Sequence, residues 1–258
     1  MSYTTLLLHI HESTATITLN RPEKRNALSP ALLNELRAAL HTVQYHDDVK
    51  VVVLCAEGKT FCAGIDLAYL QEISQFSTLD NLADSRRLAE TLHTLYTFPK
   101  PIVAKVRGAA IAGGCGIISV CDAVIADRDH ASFCYSEVRI GFIPAIVSVY
   151  LLKKVGDTRA RDLLLTARTF SAVEAEHMGF ITRAVRSEEL DKATDEYVHM
   201  LANNSSSAMT LTKGLMANLH GMSLEAGIQY ACSMNVNARS TDDCKDGIAK
   251  FLTKENRP

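Results

Sequence analysis

The chain has 258 residues, 47% hydrophobic and 22% charged, which is ample for one large buried core. A formal net charge of −2 without basic clusters argues against nucleic acid or an anionic membrane as partner. The seven cysteines are scattered without a CxxC pair and the histidines never cluster at ligand spacing, so reduced thiols in a cytoplasmic protein are expected, with no disulfide and no metal.

The N-terminal segment MSYTTLLLHIHES lacks the basic leader and apolar run of a signal peptide. Thr14 to Leu19 alternates Ala15, Ile17 and Leu19 with threonines, as a half-buried strand does. Ser29 and Pro30 suit an N-cap and a first helical position, and Leu32, Leu33, Leu36, Leu40 and Val43 follow at helical spacing. Val51 to Cys55 is short, apolar and β-branched, the pattern of a strand buried on both faces. A polar helix is predicted from about Asp80 to Tyr96, then a second buried strand over Ile102 to Val106. The most apolar stretch, Arg107 to Asp122, is Gly-rich and shorter than the ~20 residues of a membrane span. Strand and helix alternate in this part, which argues for α/β architecture with parallel crossovers.

The last third changes character. Ser171 with Glu174 resembles a capping box. Ile181 to Val185 reads as a strand, and helices are predicted over Glu188–Asn203, Ser206–Leu219, Ser223–Arg239 and Thr241–Thr253. The expected organisation is a core over 1–200 and a helical region over 201–258, packing on its own core or on a neighbouring subunit. Asp47-Asp48 and Asp242-Asp243 read as solvated helix ends.

Two turns of small residues each follow a buried strand: Gly58 to Asp66, entering a helix at Leu67, and Gly108 to Gly116, opening the helix toward Cys121. Small residues let a ligand approach the backbone, and free N–H groups at a helix start favour negative charge. Either turn alone is more often tight packing than an anion site. No G-x-G-x-x-G follows the first strand and no G-x-x-x-x-G-K-[ST] occurs, which excludes the usual nucleotide-binding fingerprints.

Four segments in order, Asn20 to Leu28, Phe61 to Leu67, Gly108 to Gly116 and Ser136 to Pro144, resemble the enoyl-CoA hydratase/isomerase (crotonase) family. The resemblance runs from Thr14 to Leu252. It implies an α/β crotonase-like spiral of ββα units with a C-terminal helical region. It also implies an acyl-CoA thioester substrate, no cofactor apart from the CoA carried by that substrate, and assembly into a homotrimer or a dimer of trimers. By match of motifs, the amides of Ile65 and Gly113 would form an oxyanion hole for the thioester carbonyl. Such donors stabilise the enolate charge that builds there, typically by several kcal/mol. Lys24, Arg25, Ala27, Ala63, Asp66 and Leu67 would contact CoA, joined by Phe251 and Lys254 from the C-terminal region or from a neighbouring subunit.

Hydratases of this family use two glutamates. Here Glu137 matches one and Gly116 stands where the other is expected. Glu137 is therefore the expected general acid/base. With one carboxylate the chain would hydrate with a single residue, shift a double bond as a Δ-isomerase, or draw the missing group from Tyr69, Glu72, Ser148 or the substrate. Gly116, together with Ala145-Ile146-Val147-Ser148 in place of a Gly-rich run, resembles the branch that handles methylglutaconyl thioesters, with Ser148 and Arg139 able to meet a distal carboxylate. The expected activity is hydration of a branched enoyl-CoA such as 3-methylglutaconyl-CoA; a catalytically silent scaffold is the remote alternative.

Overall fold

The computed structural model describes residues 3–255, except for the side chains of Leu67, Lys254 and Glu255. Leu6–His11 (β1) and Thr14–Leu19 (β2) form an antiparallel hairpin, with Ala15, Ile17 and Leu19 on its buried face. The second strand is the predicted one; the first was not foreseen, because its outward Leu7 breaks the polar alternation. Pro30–Gln44 (α1) starts where Ser29 Oγ accepts the Leu32 N–H, and its predicted apolar stripe is buried. Val51–Ala56 (β3) then runs parallel to β2.

From β3 onward the chain repeats one pattern, laying a strand in each of two sheets and then turning into helix. The first turn is β3, Thr60–Cys62 (β4), Leu67–Ile73 (α2) and Thr78–Thr97 (α3). The second is Ile102–Val106 (β5), Ala109–Ile111 (β6) and Gly113–Val120 (α4). The third is Ala123–Asp127 (β7), Ser132–Cys134 (β8), Ala145–Val155 (α5) and Asp157–Thr166 (α6). Phe170–Ser171 (β9), Ala172–His177 (α7) and Arg183–Val185 (β10) close the two sheets. The six-stranded sheet has the order β1-β2-β3-β5-β7-β10, parallel apart from the opening hairpin, and the four-stranded sheet has the order β4-β6-β8-β9. This is the ββα spiral that the resemblance implied.

β7 and β8 go beyond the elements predicted from sequence, since strands of three to five residues without flanking Gly or Pro leave little periodicity to detect; helices α5 and α6 are likewise additional. The Ser171 capping box is half formed: Ser171 Oγ accepts the Glu174 N–H, while the Glu174 carboxylate pairs instead with Arg168 at 2.6 Å.

Leu190–Ala202 (α8) covers the outer face of the six-stranded sheet. Its Leu190, Ala193 and Val198 pack on Val51, Val53, Val103 and Ile125. The tail continues as Ser206–Leu219 (α9), Leu224–Ser240 (α10) and Asp242–Glu255 (α11). Asp47 and Asp48 are solvated as expected, but Asp243 is not idle, since it accepts the Ser207 N–H and both the Ser205 and Ser207 hydroxyls. It thus ties the start of α11 to the start of α9. Among the described residues no helix is long and apolar enough to cross a membrane, and no group of three His, Cys, Asp or Glu could hold a metal.

Candidate active site

The loop from Arg21 to Leu28 is held by one side chain. Asn26 is fully buried and left-handed (φ 52°), a conformation that Asn tolerates better than most residues. Its Oδ1 accepts the Arg21 N–H, and its Nδ2 donates to the carbonyls of Glu57 and Thr60, all at 2.8 Å. So anchored, the loop lies beside the segment after β4: Ala63 N–H donates to Arg25 O and Leu28 N–H donates to Gly64 O. Asp66 N–H returns a bond to Leu28 O, completing a parallel bridge between Leu28 and Ile65.

In this parallel bridge Leu28 makes both bonds, to the residues on either side of Ile65, so the N–H of Ile65 itself turns the other way. The Ile65 amide accordingly finds no protein acceptor among the described residues. The Gly113 amide is equally free, being the first N–H of α4. Its approach depends on Ala112, which sits at φ 50° and ψ −116° and donates its N–H to Cys134 O at 2.7 Å. Such a backbone costs a non-glycine residue about 1–3 kcal/mol and tends to occur at functional sites. Gly114 lets α4 press onto β4, since a Cβ there would lie 2.6 Å from Cys62 O.

Two clefts meet at Ile65. The first, about 360 Å³, is lined by Lys24, Arg25, Ala27, Ala63 and Asp66 as well as Ile65. Five of the six residues expected to contact CoA are thus brought together; the sixth, Leu67, has its side chain outside the described residues. Lys24 and Arg25 are exposed and make no ion pair among the described residues. Asp66 is engaged structurally: its carboxylate caps α2 by accepting the Ala68 N–H and pairs with Arg21 at 3.3 Å. Phe251 lines neither cleft and is 62% exposed on α11, and the Lys254 side chain lies outside the described residues.

The second cleft, about 250 Å³, is lined by Ile65, Gly113 and Glu137 together with apolar residues of α3 and α5. Glu137 opens the 3-10 turn Glu137–Ile140. Its Oε2 is buried without a hydrogen-bond partner, and burial pushes its pKa above the ordinary 4.5. A buried carboxylate that no neighbour satisfies is poor as structure and suited to taking up a proton.

At Gly116 the space for a side chain is occupied. A Cβ there would meet Val147 Cγ1 at 2.5 Å and Leu92 Cδ1 at 3.4 Å. None of the residues considered as substitutes for a second glutamate lines the cavity. Tyr69 donates to Asp84 and accepts from Arg87, and Ser148 Oγ donates to Ala145 O at 2.7 Å. Glu72 lies outside the lining as well. Arg139 donates to the Ala167 carbonyl, beyond α6, and is absent from the lining too. Ser85 is the only hydroxyl among the described lining residues and has no role in the sequence reading, although Ser85, Leu88 and Leu92 stand at helical spacing; Asn26 and Val147 lie inside segments that the resemblance uses, with no role assigned to either.

The enoyl-CoA hydratase/isomerase family model matches residues 9–258. A Thermus thermophilus protein bearing an enoyl-CoA hydratase name is 40% identical over 240 residues, covering 93% of this chain and 94% of its own. A peroxisomal Delta(3,5)-Delta(2,4)-dienoyl-CoA isomerase of Arabidopsis thaliana is 31% identical, covering 92% of this chain and 88% of its own. The crystal structure of an enoyl-CoA hydratase from Shewanella pealeana superposes with a TM-score of 0.92 at 30% identity, covering 97% of this chain and 94% of that one.

Proposed function

This chain belongs to the enoyl-CoA hydratase/isomerase family, an enzyme family acting on acyl-CoA, and on that premise we propose that it adds water to the α,β-double bond of a branched enoyl-CoA. The single observation that carries this reading is the meeting of two unpaired amides and one unpartnered buried carboxylate in one cavity, beside a cleft bearing Lys24 and Arg25.

CoA lies along the first cleft, its phosphates near Lys24 and Arg25, and the thioester carbonyl accepts from the Ile65 and Gly113 amides. The α4 N-terminus adds its dipole to the stabilisation of negative charge there. Glu137, as carboxylate, takes a proton from water while the water oxygen bonds to C3, and the electron pair of the double bond moves onto the thioester as an enolate. The same carboxyl then returns the proton to C2. Every product atom comes from thioester and water, so this sequence calls for no separate cofactor. Phe251 and Lys254 would reach the CoA cleft of a neighbouring copy in a homotrimer or dimer of trimers.

Gly116 and the run from Ala145 to Ser148 resemble the branch that handles methylglutaconyl thioesters, and that resemblance supports a branched chain. The cavity's apolar lining suits the hydrocarbon part of such a chain and, among the described residues, offers no cation to a distal carboxylate. Δ-isomerisation is the second reading, favoured by the single carboxylate, which can carry a proton between C2 and C4 without water.

A side-by-side assay of 3-methylglutaconyl-CoA, 3-methylcrotonyl-CoA, crotonyl-CoA and a 3-enoyl-CoA tests this. Preferred hydration of a branched thioester is the expected outcome. Turnover of the 3-enoyl substrate alone makes the protein an isomerase, and a preference for crotonyl-CoA removes the branched reading.

A further inference from the structure

The second cleft grades from an open mouth to a sealed end. Ile143 and Phe142, at the mouth, are 67% and 44% exposed, whereas Val147 is 3% exposed and packs against Gly116 and the fully buried Leu92. We propose that Val147 is the specificity-determining residue at the closed end of the acyl cavity, and that the acyl groups it admits are short and uncharged. This assignment rests on the cavity being the acyl site.

The space at issue is shared between α4 and α5. Gly116 has no Cβ, and Val147 Cγ1 takes up the room that a Cβ would need. Because Val147 also lines the cavity, its methyls fill the room over Gly116 and close the acyl space there. Removing them opens that room to the acyl space; a methyl placed on Gly116 fills it again from the other side. The preference for an uncharged chain comes from the lining itself, which among the described residues contains no Arg, Lys or His. Glu137, the ionisable group among the described lining residues, carries an uncompensated carboxylate that repels a second one.

Saturated thioesters report this without any turnover. Calorimetric binding of butanoyl-, hexanoyl-, pentanoyl- and glutaryl-CoA is measured for wild type, Val147→Ala, the double variant Val147→Ala/Gly116→Ala and Val147→Ile. Val147→Ala is expected to shift the hexanoyl-to-butanoyl affinity ratio about tenfold toward the longer chain, since two more buried carbons contribute that much. The double variant should reverse the shift, and Val147→Ile, whose added methylene has the adjoining cavity to enter, should move the ratio the opposite way. Pentanoyl-CoA should bind more tightly than glutaryl-CoA, which differs from it chiefly in the terminal carboxylate. An unchanged chain-length ratio in folded Val147→Ala or Val147→Ile overturns the role of Val147. Glutaryl-CoA binding as well as pentanoyl-CoA overturns the charge preference. Wild type binding the thioesters no better than free CoA overturns the acyl-site reading itself, and the assignment of Val147 with it.

Discussion

Glu137, the proposed general acid/base, stands where a carboxylate costs stability. Its carboxylate is buried, one oxygen has no partner, and desolvation raises its pKa above 4.5. An acid whose folded-state pKa is raised contributes stability that is fully present below pH 4.5 and is lost as pH rises through the raised value. Glu137→Gln removes the charge and keeps the shape. Turnover should fall by about 10²- to 10⁴-fold, as expected for loss of a general acid/base. Thermal stability at pH 7 should rise instead of falling, and thioester binding should persist. Retained turnover in Glu137→Gln would place the proton transfer elsewhere. In wild type the hydration rate should climb with pH through a midpoint above 4.5, because the proton acceptor must be ionised.

Among the elements, α1 and the residues just before β1 are joined by another carboxylate held in the opposite sense. Burial alone would raise the pKa of Glu35. The hydroxyls of Thr5 and Thr4 and their two amides, all donating to it, outweigh that and bring it down to about 2. A lowered folded-state pKa stabilises above pH 4.5, and that contribution disappears as pH falls toward 2. Glu35→Gln should cost about 1–3 kcal/mol in urea unfolding at pH 7, a figure limited by partial exposure of the site. Between pH 5 and 3 the variant should lose less stability than wild type, since it has no such carboxylate to protonate. Equal acid sensitivity of the two proteins would assign this stretch of the acid transition to other groups. At the same scale α4 supplies the free Gly113 amide at one end, while Lys154 donates to the carbonyls of Ile118, Ser119 and Cys121 at the other. The last carbonyls of this fully buried helix are thus met by a cation, and in the proposed reaction the thioester carbonyl meets its first amide.

For the molecule as a whole, the apolar side chains left at the surface are informative. Leu224 and Ile228 on α10 and Ile248, Phe251 and Leu252 on α11 are all more than half exposed. Helices that bury only part of their apolar surface in one copy of the chain call for another surface to cover the rest. Light scattering at micromolar concentration should give three or six copies, and Phe251→Glu should shift the protein toward the monomer and weaken CoA binding. A monomeric wild type, or a Phe251→Glu variant with unchanged assembly and CoA affinity, would remove the proposed reach of α11 into a neighbouring cleft.

The elements legible in the sequence were those whose local signals agree with one another. β2, β3 and β5 follow from alternation or from β-branched runs, and α1 from its Ser29 cap and leucine spacing. Four motifs in order were also enough to name the family, because each keeps residue types that the backbone or the chemistry requires. The sequence by itself therefore determined the succession β2, α1, β3, α3 and β5, the small-residue turns and the presence of Glu137 beside a missing second glutamate. Only the tertiary structure decided what stands opposite Gly116, since Val147 lies 31 residues away and meets it where α4 packs on α5. It likewise decided that Tyr69, Ser148 and Arg139 are engaged elsewhere, and that Asn26 sets the bridge that frees the Ile65 amide. Hydrogen-bond directions and filled volumes belong to pairs of residues distant in the chain, and no local pattern in either member records them.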